Sequence, residues 1–410
     1  MRVALLTLGC RVNQAESSLI EGSLKHSGAI IVDLKDNPDV CIVNTCTVTA
    51  NSDRSSRQLI RRAARAGARV IVTGCYSQLR PHELRAIPGV AEVVENSKKY
   101  EVVRMLAGEH SKITFNSYSR SRPHLKVQDG CDFSCSYCAV PRARGRSRSV
   151  PLQDILERAQ AIEAAGYREI VITGIHLGTY GHDLPKRSDL NELLKKLLSA
   201  TEAVRFRLSS LEVGEVDDEL IEIMQSKRIC NHLHLPLQSG SNKVLRLMRR
   251  TYTIAHYQKK VLLLYDRVRN ISLGTDVMVG FPGEGDSDFT DTLTLLTDLP
   301  LSYLHIFPFS PRPGTEAQKL PVTMTKEVRA KRLGQLHDLD IAKRDSYNRH
   351  QIGRRLEVII EDIDGENTLR GTTENYLKIL VRQHGRDKGS LLCVRPTDYI
   401  QGMLHAIAIS

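Results

Sequence analysis

Short apolar runs alternate with longer amphipathic stretches along residues 1–108. Three of the runs, VALLTLG, VCIVNTC and VIVTGC, are rich in Val and Ile and end at Gly or polar residues, a pattern typical of buried β-strands. The stretch SDRSSRQLIRRAARAG, between the second and third runs, has helical spacing. Because alternating strands and helices imply a parallel sheet, residues 1–108 are predicted to form an amino-terminal α/β domain.

A second, longer alternation begins at His124. Helical patterns such as PLQDILERAQAIEAAG separate six further apolar runs. This pattern gives six strand–helix units, whereas a complete barrel of this kind has eight. Residues 124–348 are therefore predicted to form a partial (β/α)6 barrel. Residues 108–123 are predicted to link it to the first domain. The six candidate strands are HLKVQ, EIVITG, VRFRLSS, HLHLPL, LGTDVMVG and YLHIFPF.

The pattern changes after residue 348. Short apolar runs are now separated by Gly, Asp and Asn turns, with no helical stretch between them. Residues 349–410 are therefore predicted to form a small all-β barrel. The predicted fold class is α/β, with this barrel as a carboxyl-terminal addition. Its candidate strands lie in LEVIIED, LRGTTENYLKILV, GSLLCVRP and GMLHAIAIS.

The charge balance points to a polyanionic partner. The chain has 58 Lys and Arg against 47 Asp and Glu, a formal charge of +11, which favours nucleic acid. No apolar run reaches the ~18–20 residues of a membrane span. The opening MRVALLTLGC lacks the length and cleavage pattern of a signal peptide and is predicted to be a strand. We expect a cytoplasmic protein with no membrane partner.

The most specific motif is a CxxxCxxC spacing directly after the first barrel strand. It comprises Cys131, Cys135 and Cys138. Three thiolates can hold three irons of a [4Fe–4S] cluster and leave the fourth iron open to a ligand. A structural zinc site would normally need a fourth protein ligand, and the nearest candidate, His124, precedes the strand. Loops at the carboxyl ends of barrel strands also build active sites.

A second group of cysteines is dispersed in the sequence. Cys10, Cys46 and Cys75 each follow a predicted strand of the first domain, about one strand–helix unit apart. Strands of a parallel sheet end at one edge, where such sheets bind ligands, so these cysteines are predicted to hold a second cluster. Nine cysteines without an export signal argue against disulfides. The other three, Cys41, Cys230 and Cys393, are predicted to be structural.

The CxxxCxxC motif resembles the signature of the radical S-adenosylmethionine superfamily. That resemblance implies that the amine and carboxylate of S-adenosylmethionine chelate the open iron and that Tyr137 lies against the adenosine. The alternative for Tyr137 is an ordinary packed loop tyrosine. Gly, Ser and Pro at the other strand ends let backbone approach a ligand closely. The further candidate cofactor contacts are Gly174, Gln238, Ser239 and Gly280.

Arginines are concentrated in three segments. Arg142, Arg144, Arg146 and Arg148 alternate after the third cysteine of the motif, so an extended segment would place all four on one side, facing RNA phosphates. Six more arginines are predicted on one helix, where a solvated surface is the alternative. The six are Arg54, Arg57, Arg61, Arg62, Arg65 and Arg69. The third segment, Arg246, Arg249 and Arg250, adds charge near the loop of the fourth barrel strand and is predicted to contribute to the same phosphate-contacting surface.

Segments along nearly the whole chain resemble the methylthiotransferase family. TLGCRVNQAES, NTCTVTANSDRSSRQLIRRA and VTGCYSQLRPHELRAIPGV resemble its amino-terminal domain, and VQDGCDFSCSYCAVPRARGRSRS, LHLPLQSGSNKVLRLMRR and GTDVMVGFPGE resemble its radical domain. RGTTENYLKILV resembles its TRAM domain, a small RNA-binding barrel. The resemblance implies two [4Fe–4S] clusters, an auxiliary one on Cys10, Cys46 and Cys75 and a radical-generating one on Cys131, Cys135 and Cys138.

The same resemblance implies the reaction and its partners. One S-adenosylmethionine would donate a methyl group and another would supply the radical. The expected partners are a tRNA anticodon stem-loop and a flavodoxin- or ferredoxin-like reductant, with no role for DNA. TGIHLGTYG and TGCYSQ resemble the branch acting on N6-threonylcarbamoyladenosine at position 37. Alternatives are isopentenyladenosine at that position, a ribosomal-protein aspartate, or a non-catalytic metal-bearing RNA-binding protein.

Overall fold

The computed structural model describes residues 1–108, 120–321, 324–364, 368–382, 385 and 387–409. Most of the predicted linker at residues 108–123 lies outside these residues. None of the described helices combines the length and apolar character needed to cross a membrane.

The amino-terminal domain is built on a parallel sheet, as predicted, and the sheet has two strands, β2 and β5, beyond the three predicted ones. Its order is β2-β1-β3-β4-β5. The central strand β3 is buried at all six positions, because helices cover both faces of the sheet. The strands are β1 (Arg2–Thr7), β2 (Ile30–Ile31), β3 (Val40–Thr45), β4 (Arg69–Gly74) and β5 (Val90–Val93). The helices are α1 (Arg11–His26), α2 (Ala50–Arg65), α3 (Cys75–Leu79), α4 (Pro81–Arg85) and α5 (Glu101–Ala107).

The central region contains six parallel barrel strands in two three-stranded halves, which confirms the partial barrel. Their orders are β10-β9-β6 and β11-β12-β13, and a bridge between Phe206 and Ile229 joins the halves. The barrel strands are β6 (His124–Lys126), β9 (Glu169–Thr173), β10 (Arg205–Leu208), β11 (His232–His234), β12 (Ser272–Val279) and β13 (Tyr303–Pro308). Two short antiparallel strands, β7 (Gln128–Asp129) and β8 (Arg148–Ser149), flank the first loop.

Helices cover the outside of the barrel, and one large apolar cluster fills the space between them and the strands. The last helix, α13, has 24 residues and leads into the terminal domain. The helices are α6 (Val140–Arg144), α7 (Leu152–Ala164), α8 (Leu190–Ala200), α9 (Asp218–Ile223), α10 (Asn242–Leu247), α11 (Ile254–Arg267), α12 (Asp286–Asp298) and α13 (Lys326–Arg349).

The carboxyl-terminal region is a closed five-stranded barrel, which confirms the predicted all-β unit. The strand order is β14-β15-β16-β18-β17, and only the β16–β18 pair is parallel. Closure removes the exposed edges that an open sheet would present. The strands are β14 (Leu356–Ile363), β15 (Thr368–Thr373), β16 (Lys378–Arg382), β17 (Leu391–Ile400) and β18 (Met403–Ala408).

The terminal barrel packs against the amino-terminal ends of the central strands through buried charges. Arg207 of β10 is fully buried and donates to Glu169 of β9 at 2.7 Å and to the carbonyl of Thr373 at 2.8 Å. Arg205 also contacts Glu169. Because the contact with Thr373 forms only when the two regions touch, it helps to hold the terminal barrel against β10.

Candidate cluster and cofactor site

The three amino-terminal cysteines lie at one edge of the first sheet and line a common cavity of about 760 Å³. Cys10 precedes α1, Cys46 follows β3 and Cys75 begins α3. Gly9 lets the chain before Cys10 pass close to Cys46. Its φ is +101°, and a Cβ there would lie 2.8 Å from the Cys46 Cβ. Three residues separated by 36 and 29 positions are thus brought together by parallel strand order.

The CxxxCxxC loop follows β7 at the carboxyl end of the first barrel strand. Gly130 turns the chain into it with a φ of +72°, and a Cβ there would lie 1.9 Å from the carbonyl oxygen of Arg146. Two backbone N–H groups point at sulfur atoms: Phe133 donates to Cys131 and Val140 donates to Cys138, both at 3.4 Å. Such bonds favour the thiolate form, which is the form that binds metal.

Burial keeps several of these thiols protonated unless a cation binds them. It raises the pKa of Cys75 to about 11 and that of Cys138 to about 12, and it also raises the pKa of Cys46 and Cys135. A metal ion that binds the sulfur takes the place of the thiol proton and neutralises the thiolate charge. Buried groups of three thiols therefore fit a positively charged metal centre.

No group of three His, Cys, Asp or Glu side chains among the described residues is arranged to hold a single metal ion. In a [4Fe–4S] cluster each thiolate binds a different iron, so the three sulfur atoms of a group need not converge on one metal ion.

The two cysteine groups face the same junction between domains. Cys75 and Cys138 both line a smaller cavity of about 210 Å³, together with Tyr137 and Gln238. Cys75 also lines the larger cavity, so the two spaces meet at this residue. Much of the smaller cavity's wall is apolar, which suits a site from which water is excluded. The apolar wall includes Val48, Val140, Met278, Phe307 and Phe309.

Several polar atoms at the carboxyl ends of barrel strands lack a hydrogen-bond partner among the described residues. They are the hydroxyls of Thr173 and Ser209 and the Oε1 atom of Gln238, and all three residues are buried. Because an unpaired buried polar atom costs free energy, this set fits a polar cofactor in the barrel mouth.

The other candidate cofactor contacts differ in position. Gly174 lines the larger cavity, and a Cβ there would lie 2.9 Å from the Oε1 atom of Gln128. Tyr137 packs edge-to-face against Phe281, with ring centres 6.3 Å apart. Ser239 and Gly280 are buried but line neither of these two cavities. The roles of all these residues stay predictions.

A histidine outside the cysteine motif contacts the first cysteine of the loop. His176 Nδ1 lies 3.6 Å from the Cys131 sulfur, and its other ring nitrogen contacts Glu215. Burial would lower the pKa of His176, but these two contacts raise it to about 10. The only sequence signal was its position in the loop after the second barrel strand.

Arg250 similarly contacts the second cysteine. Its Nη1 atom lies 3.4 Å from the Cys135 sulfur, and its guanidinium also pairs with Glu212. The side chain is 4% exposed, so the prediction that Arg250 adds charge to an RNA surface is wrong. Arg246 and Arg249 remain exposed.

The predicted extended run of four alternating arginines is also wrong. Residues 140–144 form helix α6, which places the four side chains in different surroundings. Arg144 is buried and ion-paired, and Arg142 donates to the carbonyl of Pro313. Arg142, Arg146 and Arg148 are exposed, the last two over 94% and 55% of their side-chain surface. A helix formed here because Pro141 fits its first turn.

The predicted arginine helix needs a smaller correction. Helix α2 ends at Arg65, and Arg69 begins strand β4 instead. Arg57 is half-buried against Tyr76 and Glu83. The exposed arginines of α2 are Arg54, Arg61, Arg62 and Arg65.

A buried ion-pair network joins the first domain to the loop that carries the cysteine motif. Glu16 of α1 lies 2.6 Å from Lys99, 2.7 Å from Lys126 and 3.1 Å from Arg144. Lys126 and Arg144 also contact Asp129. Burial alone would raise the pKa of Glu16, but the three cations hold it well below its usual range.

Replacing Glu16 with Gln should lower the free energy of unfolding by about 3–5 kcal/mol, because buried cations lose their counter-charge. Urea unfolding followed by circular dichroism measures this loss. The control is Glu219→Gln, whose ion pair with Lys195 is exposed and whose urea midpoint should not change. Equal midpoints for Glu16→Gln and the unaltered protein would show that the network does not stabilise the domain junction.

A second buried contact holds the Cys46 loop against the end of the barrel. Arg312, which follows β13, donates to the hydroxyl of Thr47 and to a carboxylate oxygen of Asp53, both at 2.7 Å. Thr47 is the neighbour of Cys46 in the chain. The two contacts therefore set the distance between the cysteine-bearing edge and the barrel mouth.

Two family models match the chain. The radical SAM superfamily model matches residues 125–296, and the model described as uncharacterized protein family UPF0004 matches residues 2–95. The structure of a radical S-adenosylmethionine methyltransferase, TsrM from Kitasatospora setae, superposes with a TM-score of 0.55 at 15% identity. It covers 77% of this chain and 76% of that one, which establishes the shared fold.

Curated relatives are similar over almost the full length. The threonylcarbamoyladenosine tRNA methylthiotransferase MtaB of Aquifex aeolicus is 38% identical over 96% of this chain and 100% of that protein. The MtaB protein of Bacillus subtilis is 37% identical over 93% and 90%. The tRNA-2-methylthio-N(6)-dimethylallyladenosine synthase of Sulfurimonas denitrificans is 30% identical over 96% and 95%. These similarities confirm the predicted family: the chain is a radical S-adenosylmethionine enzyme of the tRNA methylthiotransferase family.

Proposed function

We propose that this enzyme converts N6-threonylcarbamoyladenosine at position 37 of tRNA to its 2-methylthio derivative, using two S-adenosylmethionine molecules and two [4Fe–4S] clusters. The observation that carries the proposal is the meeting of two cysteine groups at one domain junction, where Cys75 and Cys138 line the same cavity. Two MtaB relatives, those of Aquifex aeolicus and Bacillus subtilis, support the nucleoside at 38% and 37% identity, against 30% for the dimethylallyladenosine synthase of Sulfurimonas denitrificans.

Each cysteine group has its own role in the proposal. Cys131, Cys135 and Cys138 hold the radical-generating cluster, and Cys10, Cys46 and Cys75 hold the auxiliary cluster. Bound there, the clusters and S-adenosylmethionine would supply the radical, the sulfur and the methyl group. A reactive radical needs a site closed to water, and the mostly apolar smaller cavity provides such walls.

The chain's own residues orient these groups. His176 and Arg250 present N–H donors to the Cys131 and Cys135 sulfurs, which stabilises thiolates without occupying an iron. Tyr137 provides an aromatic face beside Cys138, suited to an adenine. The unpaired Gln238 and Ser209 atoms offer hydrogen bonds to polar parts of the cofactor.

The proposed partner is the anticodon stem-loop of tRNA, because position 37 lies in an unpaired loop whose bases can be reached. Exposed Arg146 and Arg148 lie beside the cysteine loop and suit phosphate contacts. The terminal barrel, as a TRAM-like domain, would add RNA contacts. The proposal also includes a flavodoxin- or ferredoxin-like reductant and a cytoplasmic location.

Anaerobic assay of the reconstituted enzyme tests the proposed nucleoside. It is incubated with S-adenosylmethionine, dithionite and anticodon stem-loops that carry threonylcarbamoyladenosine, isopentenyladenosine or unmodified adenosine at position 37. Mass spectrometry of the digested RNA should show the methylthio product only from the threonylcarbamoyl substrate. Product from the isopentenyl substrate alone would assign the enzyme to the other branch, and no product from any RNA would contradict both.

A further inference from the structure

The larger cavity extends from the amino-terminal cysteines to the terminal barrel, where Arg11 and Tyr376 line it together. Arg11 is the first residue of α1, and Tyr376 lies in the turn between β15 and β16. Arg11 Nη2 donates to the Tyr376 hydroxyl at 3.1 Å, and its guanidinium carbon lies 5.5 Å from the centre of the Tyr376 ring. The ring and hydroxyl together hold the guanidinium in place.

Arg11 differs from the other cations that line this cavity. Arg144 pairs with Glu16, Arg344 with Asp340 and Lys378 with Glu361. No carboxylate within the described part of the chain pairs with Arg11. A guanidinium has five N–H donors, and the Tyr376 hydroxyl is the one acceptor found for Arg11 among the described residues, so donors remain for a ligand.

The acidic side chain on the cavity wall is not available to neutralise Arg11. Among the described residues that line the cavity, Asp276 is the only acidic one, and two imidazoles already contact it. His234 and His305 lie 3.1 Å and 2.8 Å from one of its oxygens. Although burial would raise the pKa of Tyr376, neighbouring arginines, with Arg11 foremost, lower it, which reflects a positive local potential.

A cation without an acidic partner, such as Arg11, would bind threonylcarbamoyladenosine and isopentenyladenosine with different affinities. The isopentenyl group is a hydrocarbon and would leave the guanidinium desolvated without a partner. The threonylcarbamoyl group ends in a carboxylate and a hydroxyl. A guanidinium binds a carboxylate through charge-assisted hydrogen bonds that fix its orientation as well as its charge.

We propose that Arg11, held over Tyr376, binds the carboxylate of the threonylcarbamoyl substituent and is a specificity-determining residue of the enzyme. The inference rests on the proposed function, because it assigns one part of the proposed substrate to one side chain. Arg11 contacts the substituent on N6 rather than the carbon that gains sulfur, so it acts in substrate selection.

The test measures RNA binding by full-length enzyme that carries Arg11→Gln or Arg11→Lys, each reconstituted anaerobically and matched for iron content. Fluorescence anisotropy is recorded with stem-loops that contain threonylcarbamoyladenosine or unmodified adenosine at position 37. We expect Arg11→Gln to lose about tenfold or more in affinity for the modified RNA alone, since hydrogen bonds to charged groups are among the stronger ones. Arg11→Lys should bind the modified RNA more tightly than Arg11→Gln does, because lysine keeps the positive charge but lacks the planar guanidinium that pairs with a carboxylate.

Arg104→Gln is the matched control, because it removes one positive charge from an exposed position of the same domain. It should bind both RNAs as the unaltered enzyme does. In turnover assays Arg11→Gln should raise KM for the threonylcarbamoyl stem-loop more than it lowers kcat.

Two results would overturn the inference. Equal loss of affinity for both RNAs would mean that Arg11 contacts a phosphate, which every stem-loop carries, and unchanged binding would mean that it contacts neither group. With either result the enzyme could still form the methylthio product from threonylcarbamoyl RNA. The proposed function would then hold, and only the role of Arg11 would be wrong. If the unaltered enzyme modifies only isopentenyl RNA, both the function and the inference fail.

Discussion

Alanine at Cys131, Cys135 or Cys138 should reduce 5′-deoxyadenosine formation to the background rate. Each of these residues supplies one of only three thiolates for the proposed radical-generating cluster, so two remaining ligands would not hold it in the geometry that the cofactor needs. Chromatographic measurement of 5′-deoxyadenosine after dithionite reduction checks the result, and it requires no RNA substrate.

The matched control for this series is Cys230→Ala. Cys230 is 1% exposed, and burial raises the pKa of its thiol to about 12, as expected for an inert structural cysteine. This variant should keep cleavage activity if it folds, which circular dichroism verifies. Normal 5′-deoxyadenosine formation by any of the three loop variants would contradict the assignment of that cysteine as a ligand.

Alanine at Cys10, Cys46 or Cys75 should leave 5′-deoxyadenosine formation in place but stop formation of the methylthio nucleoside. The reason is spatial: these residues lie at the sheet edge of the first domain, while the loop cysteines with His176 belong to the barrel. Iron content should fall from about eight to about four per chain, because one of two four-iron clusters is lost. Mass spectrometry of the RNA and iron analysis measure the two effects.

Cys41→Ala is the control for this second series. Cys41 lies in the same strand that Cys46 follows, is fully buried and has a pKa raised to about 12 by burial. It should retain about eight irons and full product formation. If a Cys10, Cys46 or Cys75 variant still made the methylthio product, the division of labour between two clusters would be wrong. Equal loss of cleavage and product would indicate a single shared centre.

Much of the architecture could be predicted because its signals are local. Runs such as VIVTG form strands wherever helices can cover both faces, and the parallel order follows from the alternation itself. The approach of Cys10, Cys46 and Cys75 was predictable for the same reason: strand ends share an edge, whatever the length of chain between them.

The surroundings of individual charged residues could not be predicted in this way. The alternation of Arg142, Arg144, Arg146 and Arg148 suggested one exposed face, yet α6 and the approach of Glu16 bury Arg144. Glu16 lies 128 residues before Arg144, and no local pattern records that pairing. Burial of a cation depends on a counter-charge that arrives only when the domains dock.

The sequence by itself determined the parallel strands, the strand-end cysteines and the CxxxCxxC loop, since each depends on short-range periodicity or spacing. Only the tertiary structure decided which cations are neutralised and which remain available. Arg250 turned inward to a cysteine, and Arg11 came to lie over Tyr376, 365 residues further along the chain, without an acidic partner among the described residues. The physical reason is that pairing and desolvation are properties of the assembled interior, where distant segments supply or withhold the opposite charge.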